Sequence, residues 1–297
     1  MSVSPSVPAT STVVSRLRAA GCVFAADEAR LLMAGAESLA DLEAMVDQRV
    51  AGLPLEQVLG WVEFCGVRIA VEPGVFVPRR RTEFLVHQAA IMVRETAATA
   101  AASAGRAADK GRDVSAVAAR KVPAPRPTFV VDLCCGSGAV GAALAAAFDQ
   151  VELYAVDIDP AAVHCARRNV AAAGGLVYEG DLYEPLPATL RHRVDVLIAN
   201  APYVPTAAIR LMPAEARLHE SRVALDGGAD GLDILRRVAA SAPSWLTPGG
   251  HLLVETSEQQ APLTIDIFAR TGLSSRVASS VDFDATVVVA TMPLPRN

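Results

Sequence analysis

The stretch FVVDLCCGSGAVGAALAAAF, residues 129–148, constrains the fold more than any other part of the chain. An apolar, β-branched run passes at once into a glycine turn and then into an alanine-rich helical stretch, so strand, turn and helix follow without a linker. Gly136, Ser137 and Gly138 form the turn. Glycine there lets backbone N–H groups approach a ligand closely and face it with a positive helix N-terminus. Gly136-x-Gly138-x-x-Gly141 also has dinucleotide-binding spacing, and Asp157 ends the next apolar run, VELYAVD, 19 residues after Gly138. An acid at that position can accept hydrogen bonds from both hydroxyls of a ribose. NAD and S-adenosylmethionine both fit this much.

Further apolar runs (LVYEGD, VDVLIAN, HLLVET, ATVVVAT) alternate with helical stretches such as AAVHCARRNVAAA and DILRRVAASAPSWL. This predicts an α/β fold with a mostly parallel sheet covered on both faces, and a ligand at the carboxyl ends of its strands. With 52% hydrophobic and 20% charged residues, the 297-residue chain readily supplies such a core, as one large domain with a small appendage. Its net charge of −5 argues against a general nucleic-acid binder. No stretch approaches 18 uncharged apolar residues, so neither export nor membrane spanning is expected. The five cysteines are scattered without paired C-x-x-C spacing, which points to reduced thiols in the cytoplasm and to no metal site.

Residues 1–60 form a short N-terminal segment whose apolar spacing (Val14, Leu17, Leu31, Leu32, Leu39, Leu42) predicts a few short helices, too little chain for an independent core. Residues 61–77 read as a β-hairpin linker through Gly66, and the main domain takes 78–297, with Thr82 opening a helix. An Ala/Pro-rich stretch at about 97–127 predicts a mobile insertion with a frayed helical start.

Two acids discriminate between the candidate ligands. Asp132, at the end of the first strand, would repel a pyrophosphate but can help hold the ammonium of a methionine moiety, which favours S-adenosylmethionine. Asp181 can accept from an adenine amino group with Leu182 against the ring, or be a plain loop acid. Cys134 and Cys135 read as small polarizable residues beside the cofactor rather than a redox pair.

VDVLIAN ends in Asn200-Ala201-Pro202-Tyr203, at a strand end where the reacting ligand belongs. Methylating a planar NH₂ nitrogen needs two acceptors that hold its protons, turning the lone pair toward the methyl group, and a flat surface over the π-system. Asn200 Oδ1 and the Ala201 carbonyl can accept, Pro202 stiffens the turn and Tyr203 offers the stacking face.

Together these segments resemble the HemK/PrmC family of protein-(glutamine-N5) methyltransferases, which act on the Gly-Gly-Gln glutamine of peptide chain release factors. The resemblance covers about residues 52–292, in LPLEQVLGWVEFCGVRIAVEPGVFVPRRRTEFLV, VVDLCCGSGAVG, AVDIDPAAVHCARRNV, NAPY and ALDGGADGLDILRR. It implies a Rossmann-like class I methyltransferase with about seven strands, the last antiparallel, and S-adenosylmethionine as cofactor. It also implies a monomer acting on a release factor. The cofactor residues carried over are Asp132, Cys134, Cys135, Gly136, Ser137, Gly138, Asp157, Ile158, Asp181, Leu182 and Asn200. Asn200, Ala201, Pro202 and Tyr203 bind substrate and carry the chemistry, with Arg79 at the substrate mouth and the helical head touching the protein substrate.

The chain departs from the family in four places. Ala201 stands for the first proline of Asn-Pro-Pro-Tyr, and Arg80 and Arg81 replace a proline and an acid. Cys134 replaces a glycine, tolerable with a negative φ, and the helical head is short. Arg79–Arg81 read as a solvated charge run, or as a contact for an RNA backbone or an acidic loop, and Glu220 as a support for the catalytic loop or a solvated acid. Two other functions stay open: N6-adenine methylation of RNA or DNA, which needs a basic surface seen only at 79–81, and a weakened paralogue that binds the cofactor without turnover.

Overall fold

A computed structural model describes residues 10–109 and 126–295. Helices α1 (Thr10–Ala19), α2 (Ala25–Gly35), α3 (Leu39–Val50) and α4 (Leu55–Leu59) open the chain. Ser38 caps α3, its hydroxyl accepting the Asp41 N–H at 3.1 Å. The expectation that this segment has no core of its own is corrected: Val13, Leu17, Ala29, Leu32, Leu42 and Val46 pack into a separate buried cluster. Short amphipathic helices folded back on one another exclude water from their shared stripe even in so short a chain. Buried Arg49 then links this cluster outward, donating to Glu28 at 2.7 Å and pairing with Glu215 at 2.6 Å.

The hairpin forms as predicted, with β1 (Trp61–Phe64) antiparallel to β2 (Val67–Ala70). Its two-residue turn, Cys65-Gly66, has φ of 50° and 73°, the left-handed pair whose twist matches that of the strands. Helix α5 (Thr82–Asp109) starts at the predicted residue but runs well past 97, because the alanine-rich sequence favours helix and holds no proline before Pro123. The rest of the predicted insertion, 110–125, lies outside the described residues.

The main body then runs β3 (Thr128–Leu133), α6 (Ala139–Ala147), β4 (Val151–Asp157), α7 (Pro160–Val170), β5 (Leu176–Glu179), β6 (Val194–Ala199), α8 (Ala214–His219), α9 (Asp233–Ser241), β7 (Leu246–Thr256), α10 (Ala261–Arg270), β8 (Ser274–Ser280) and β9 (Ala285–Thr291). The strands form one sheet in the order β5-β4-β3-β6-β7-β9-β8, parallel except that β9 runs antiparallel to both its neighbours. One cluster, with Leu235, Val238, Trp245 and Phe268, covers one face of the sheet; another, with Leu85, Met92, Val140 and Leu144, covers the other. Strand β8, SSRVASS, had no apolar run to signal it; as an edge strand it exposes alternate residues and is serine-rich. No helix among the described residues is long and apolar enough to cross a membrane.

β3 pairs with β4 on one side and β6 on the other, so the chain order reverses between β3 and β6. Loops leaving the carboxyl ends of such a pair diverge to opposite faces and open a crevice, where ligands of open α/β sheets bind.

Candidate active site

The loops after β3 and β6 are opposite walls of one cavity. Arg79, Asp132, Cys134, Cys135, Gly136, Ser137, Asp157, Ile158, Asp181, Leu182, Asn200, Ala201, Pro202 and Tyr203 all line it. Of the predicted site residues only Gly138 does not. It caps α6 with φ +74°, and a Cβ there would come within 3.0 Å of Ala166, so it serves the packing of α7 behind the turn.

The turn after β3 is left-handed at Cys134 (φ +54°) and again at Gly136 (φ +55°). The expected negative φ at Cys134 is thus wrong, because the chain must reverse immediately after the buried end of β3. A side chain in that region costs about 1–2 kcal/mol relative to glycine, partly offset by glycine's greater freedom when unfolded. Cys134→Gly should therefore stabilise the protein by about 0.5–1 kcal/mol, read as a higher denaturant midpoint with an unchanged slope.

Asp157 fastens this turn from the adjacent strand. Its Oδ2 accepts the Gly136 N–H at 2.8 Å and its Oδ1 the Asp159 N–H at 2.9 Å, leaving each oxygen a lone pair for a ligand. Asp132, behind the turn, accepts the Gly141 N–H at 3.1 Å; a Cβ at Gly141 would meet Leu153 at 2.9 Å, so only glycine lets α6 approach so closely. Burial pushes the Asp132 carboxyl up to about 7, the Gly141 hydrogen bond opposing the shift. Asn169 ties this region to the hairpin, accepting from the Ala70 N–H at 2.8 Å and donating to the Ser137 carbonyl at 2.8 Å.

Across the cavity, Asp181 is not a free loop acid. It pairs at 2.6 Å with Arg237 of α9, which also lines the cavity, and Leu182 beside it holds φ +50°. No local spacing pairs residues from such distant segments, so the sequence reading missed Arg237.

The tetrapeptide leaves β6 with Asn200 half-buried and its side-chain amide unbonded to any described residue. The loop 225–231 grips its backbone: the Val204 N–H donates to the Leu225 carbonyl at 3.1 Å, and the Gly227 N–H to the Val204 carbonyl at 2.9 Å. A Cβ at Gly231 would come within 2.3 Å of the Tyr203 carbonyl oxygen. Gln260, also missed, donates to that same oxygen at 3.0 Å.

The arginine run is not simply solvated. Arg79 pairs with Glu220, whose side chain is fully buried and also accepts the Val77 N–H at 3.2 Å; Arg81 pairs with buried Glu255 at 3.3 Å, and Arg80 alone is exposed without such a partner among the described residues. Burial raises the Glu220 pKa, and Arg79 works against that shift.

The methyltransferase small domain family matches residues 103–272. A release factor glutamine methyltransferase from Geobacter sulfurreducens is 35% identical over 238 residues, covering 80% of this chain and 72% of that protein. The chain belongs to the release factor glutamine methyltransferase family. Another release factor glutamine methyltransferase, from Mycolicibacterium smegmatis, is 32% identical over 83% of this chain and 76% of its own length. A 4-amino-L-phenylalanine/4-methylamino-L-phenylalanine methyltransferase from Streptomyces pristinaespiralis is 30% identical over 79% of this chain and 71% of its own. Both glycine turn and tetrapeptide fall inside the matched domain, whereas α1–α4 and the hairpin precede it.

Proposed function

We propose that the protein transfers a methyl group from S-adenosylmethionine to the side-chain amide nitrogen of a glutamine in a peptide chain release factor. The observation that carries this reading is the unbonded Asn200 amide beside the Ala201 carbonyl, on the wall opposite the glycine turn. The cavity's donors and acceptors fit the cofactor. Three carboxylates (Asp132, Asp157, Asp181) gather at the turn, where the nearby cation, Arg237, is already held by Asp181. That set accepts an ammonium and ribose hydroxyls and would repel a pyrophosphate. When bound, S-adenosylmethionine supplies an electrophilic methyl group.

The protein's own part is positioning. Asp157 accepts from the ribose and Asp132 balances the ammonium, with the backbone of Cys134–Ser137 close to the ligand, while Ile158, Asp181 and Leu182 flank the adenine. Asn200 Oδ1 and the Ala201 carbonyl hold the two amide protons, so the nitrogen lone pair points toward the methyl group. Pro202 limits the turn and the Tyr203 ring covers the amide plane. Aligning the two reactants in this way supplies a large share of the rate without a strong base. Arg79 and the helical head take the protein substrate at the mouth, and residues 78–297 carry the transfer, as a monomer in the cytoplasm. The inward pairing of Arg79 and Arg81 weighs against a nucleic-acid substrate, since those charges are already neutralised.

Cofactor affinity should depend on pH. In the free protein burial holds Asp132 at about 7, so this carboxyl's contribution to stability is greatest below its unfolded pKa and is lost as pH rises through about 7. An ammonium reverses the preference by favouring the charged form. Affinity should therefore fall by up to about tenfold per unit as pH drops below about 7, and Asp132→Asn should flatten the dependence in calorimetric titrations.

The function is tested by incubating the protein with methyl-labelled S-adenosylmethionine and a purified release factor, with and without ribonuclease. Label in the peptide bearing Gly-Gly-Gln is the expected result; label lost on ribonuclease treatment would overturn it.

A further inference from the structure

Behind the tetrapeptide lies a group of charged side chains to which the proposed chemistry assigns no task. β6 and β7 are parallel with Ala199 opposite Val254, so Asn200 and Glu255 emerge side by side, one residue beyond the last pair. The Glu255 side chain is only 3% exposed and does not line the cavity, so it meets neither substrate nor cofactor there. Its Oε1 receives the Tyr203 hydroxyl at 3.2 Å and Arg81 Nε at 3.3 Å. The Arg81 guanidinium carbon in turn lies 5.8 Å from the centre of the Tyr203 ring. Tyr203 is therefore held at its far end by a carboxylate and over its ring by a cation that the same oxygen positions.

A buried carboxylate is costly unless it is paired, and here burial raises the Glu255 pKa while Arg81 and Tyr203 oppose the shift. An ordinary stacking tyrosine needs no such support, because burying its ring suffices. What the arrangement adds is orientation: the ring is fixed before substrate arrives, and the freedom otherwise lost on binding is already removed.

We propose that Glu255 and Arg81 are positioning residues for Tyr203, which preset the ring as the stacking face for the methyl-accepting amide. The inference rests on the reading of the tetrapeptide as the transfer site. It changes the expectation for the hydroxyl: Tyr203→Phe keeps the ring but loses its anchor, so it should not be silent.

The test uses the full chain, labelled S-adenosylmethionine and a purified release factor, with Tyr203→Phe, Glu255→Gln, Arg81→Ala, the double variant Glu255→Gln/Tyr203→Phe, and Asn200→Ala beside them. Tyr203→Phe and Arg81→Ala should each lower kcat/KM for the release factor about tenfold, while cofactor affinity stays within about twofold and melting temperatures stay close to that of the parent. Glu255→Gln retains an acceptor for the hydroxyl and should lose less. The double variant should be no worse than Tyr203→Phe alone, since both act through one ring. Additive losses in the double variant, or unchanged kcat/KM in Tyr203→Phe and Arg81→Ala while Asn200→Ala is inactive, would overturn this inference and leave the transfer site standing. Full activity of Asn200→Ala would overturn the site reading and this inference with it.

Discussion

Asn200→Ala is expected to slow methyl transfer about a hundredfold or more, with at most a few-fold change in cofactor affinity and a melting temperature close to that of the parent. The asymmetry follows from where the side chain stands. Its amide bonds to no described residue, so its removal breaks no internal hydrogen bond. It is half-buried at the end of β6, so truncation opens no large cavity in the core. What disappears is one of two acceptors that orient the target nitrogen, and that loss appears in the chemical step. Single-turnover measurements at saturating cofactor would separate it from product release. A variant that kept the parental rate would remove the tetrapeptide from the mechanism.

Gly231→Ala should be nearly as damaging, through the backbone. A Cβ there would lie 2.3 Å from the Tyr203 carbonyl oxygen and 2.6 Å from Gln260 Nε2, at a φ of +80° that side chains rarely adopt. Neither neighbour can yield cheaply. The first is the backbone of the tetrapeptide, and the second is the amide that ties that carbonyl to the Asp230 carbonyl. Displacing Tyr203 by even about 1 Å is enough to cost on the order of 10²-fold in rate, beside a stability loss of about 1–3 kcal/mol. Gly272→Ala is the control. It shares a positive φ, +82°, but a Cβ there meets nothing within 4 Å, so it should lose some stability and no activity. Equal activity of the two variants would show that the loop 225–231 does not hold the tetrapeptide in place.

The parts of this architecture that could be read from sequence are those whose signal is local. VELYAVD and ATVVVAT correspond to β4 and β9 residue for residue, because fully or half-buried strands are written as uninterrupted apolar runs. The glycine turn, Asp132, Asp157 and NAPY are likewise contiguous with the strands that position them, and they line one cavity as expected. The rest depended on tertiary pairing. Nothing near Asp181 announces Arg237, and nothing near Tyr203 announces Glu255; those contacts exist only once α9 and β7 have packed beside β3 and β6. Arg79 and Arg81 looked like solvated charge because their partners, Glu220 and Glu255, lie far along the chain. Composition also misled. The serine-rich β8 has weak strand character of its own and is held mainly by β9, and the N-terminal helices build a cluster from few large side chains. At Cys134 the chain tolerates a left-handed side chain that residue type alone would not suggest.

The account's central claim is that the acceptor is a glutamine amide nitrogen, and acid hydrolysis of the labelled release factor tests it most directly. Hydrolysis of an N-methyl amide breaks the bond between carbonyl carbon and nitrogen, leaving glutamate on the peptide and releasing the nitrogen with its methyl group as volatile methylamine. Recovery of the label as methylamine, mapped to the Gly-Gly-Gln peptide before hydrolysis, is the predicted result. Label that stays non-volatile on the protein, or that travels with a nucleobase, would contradict it.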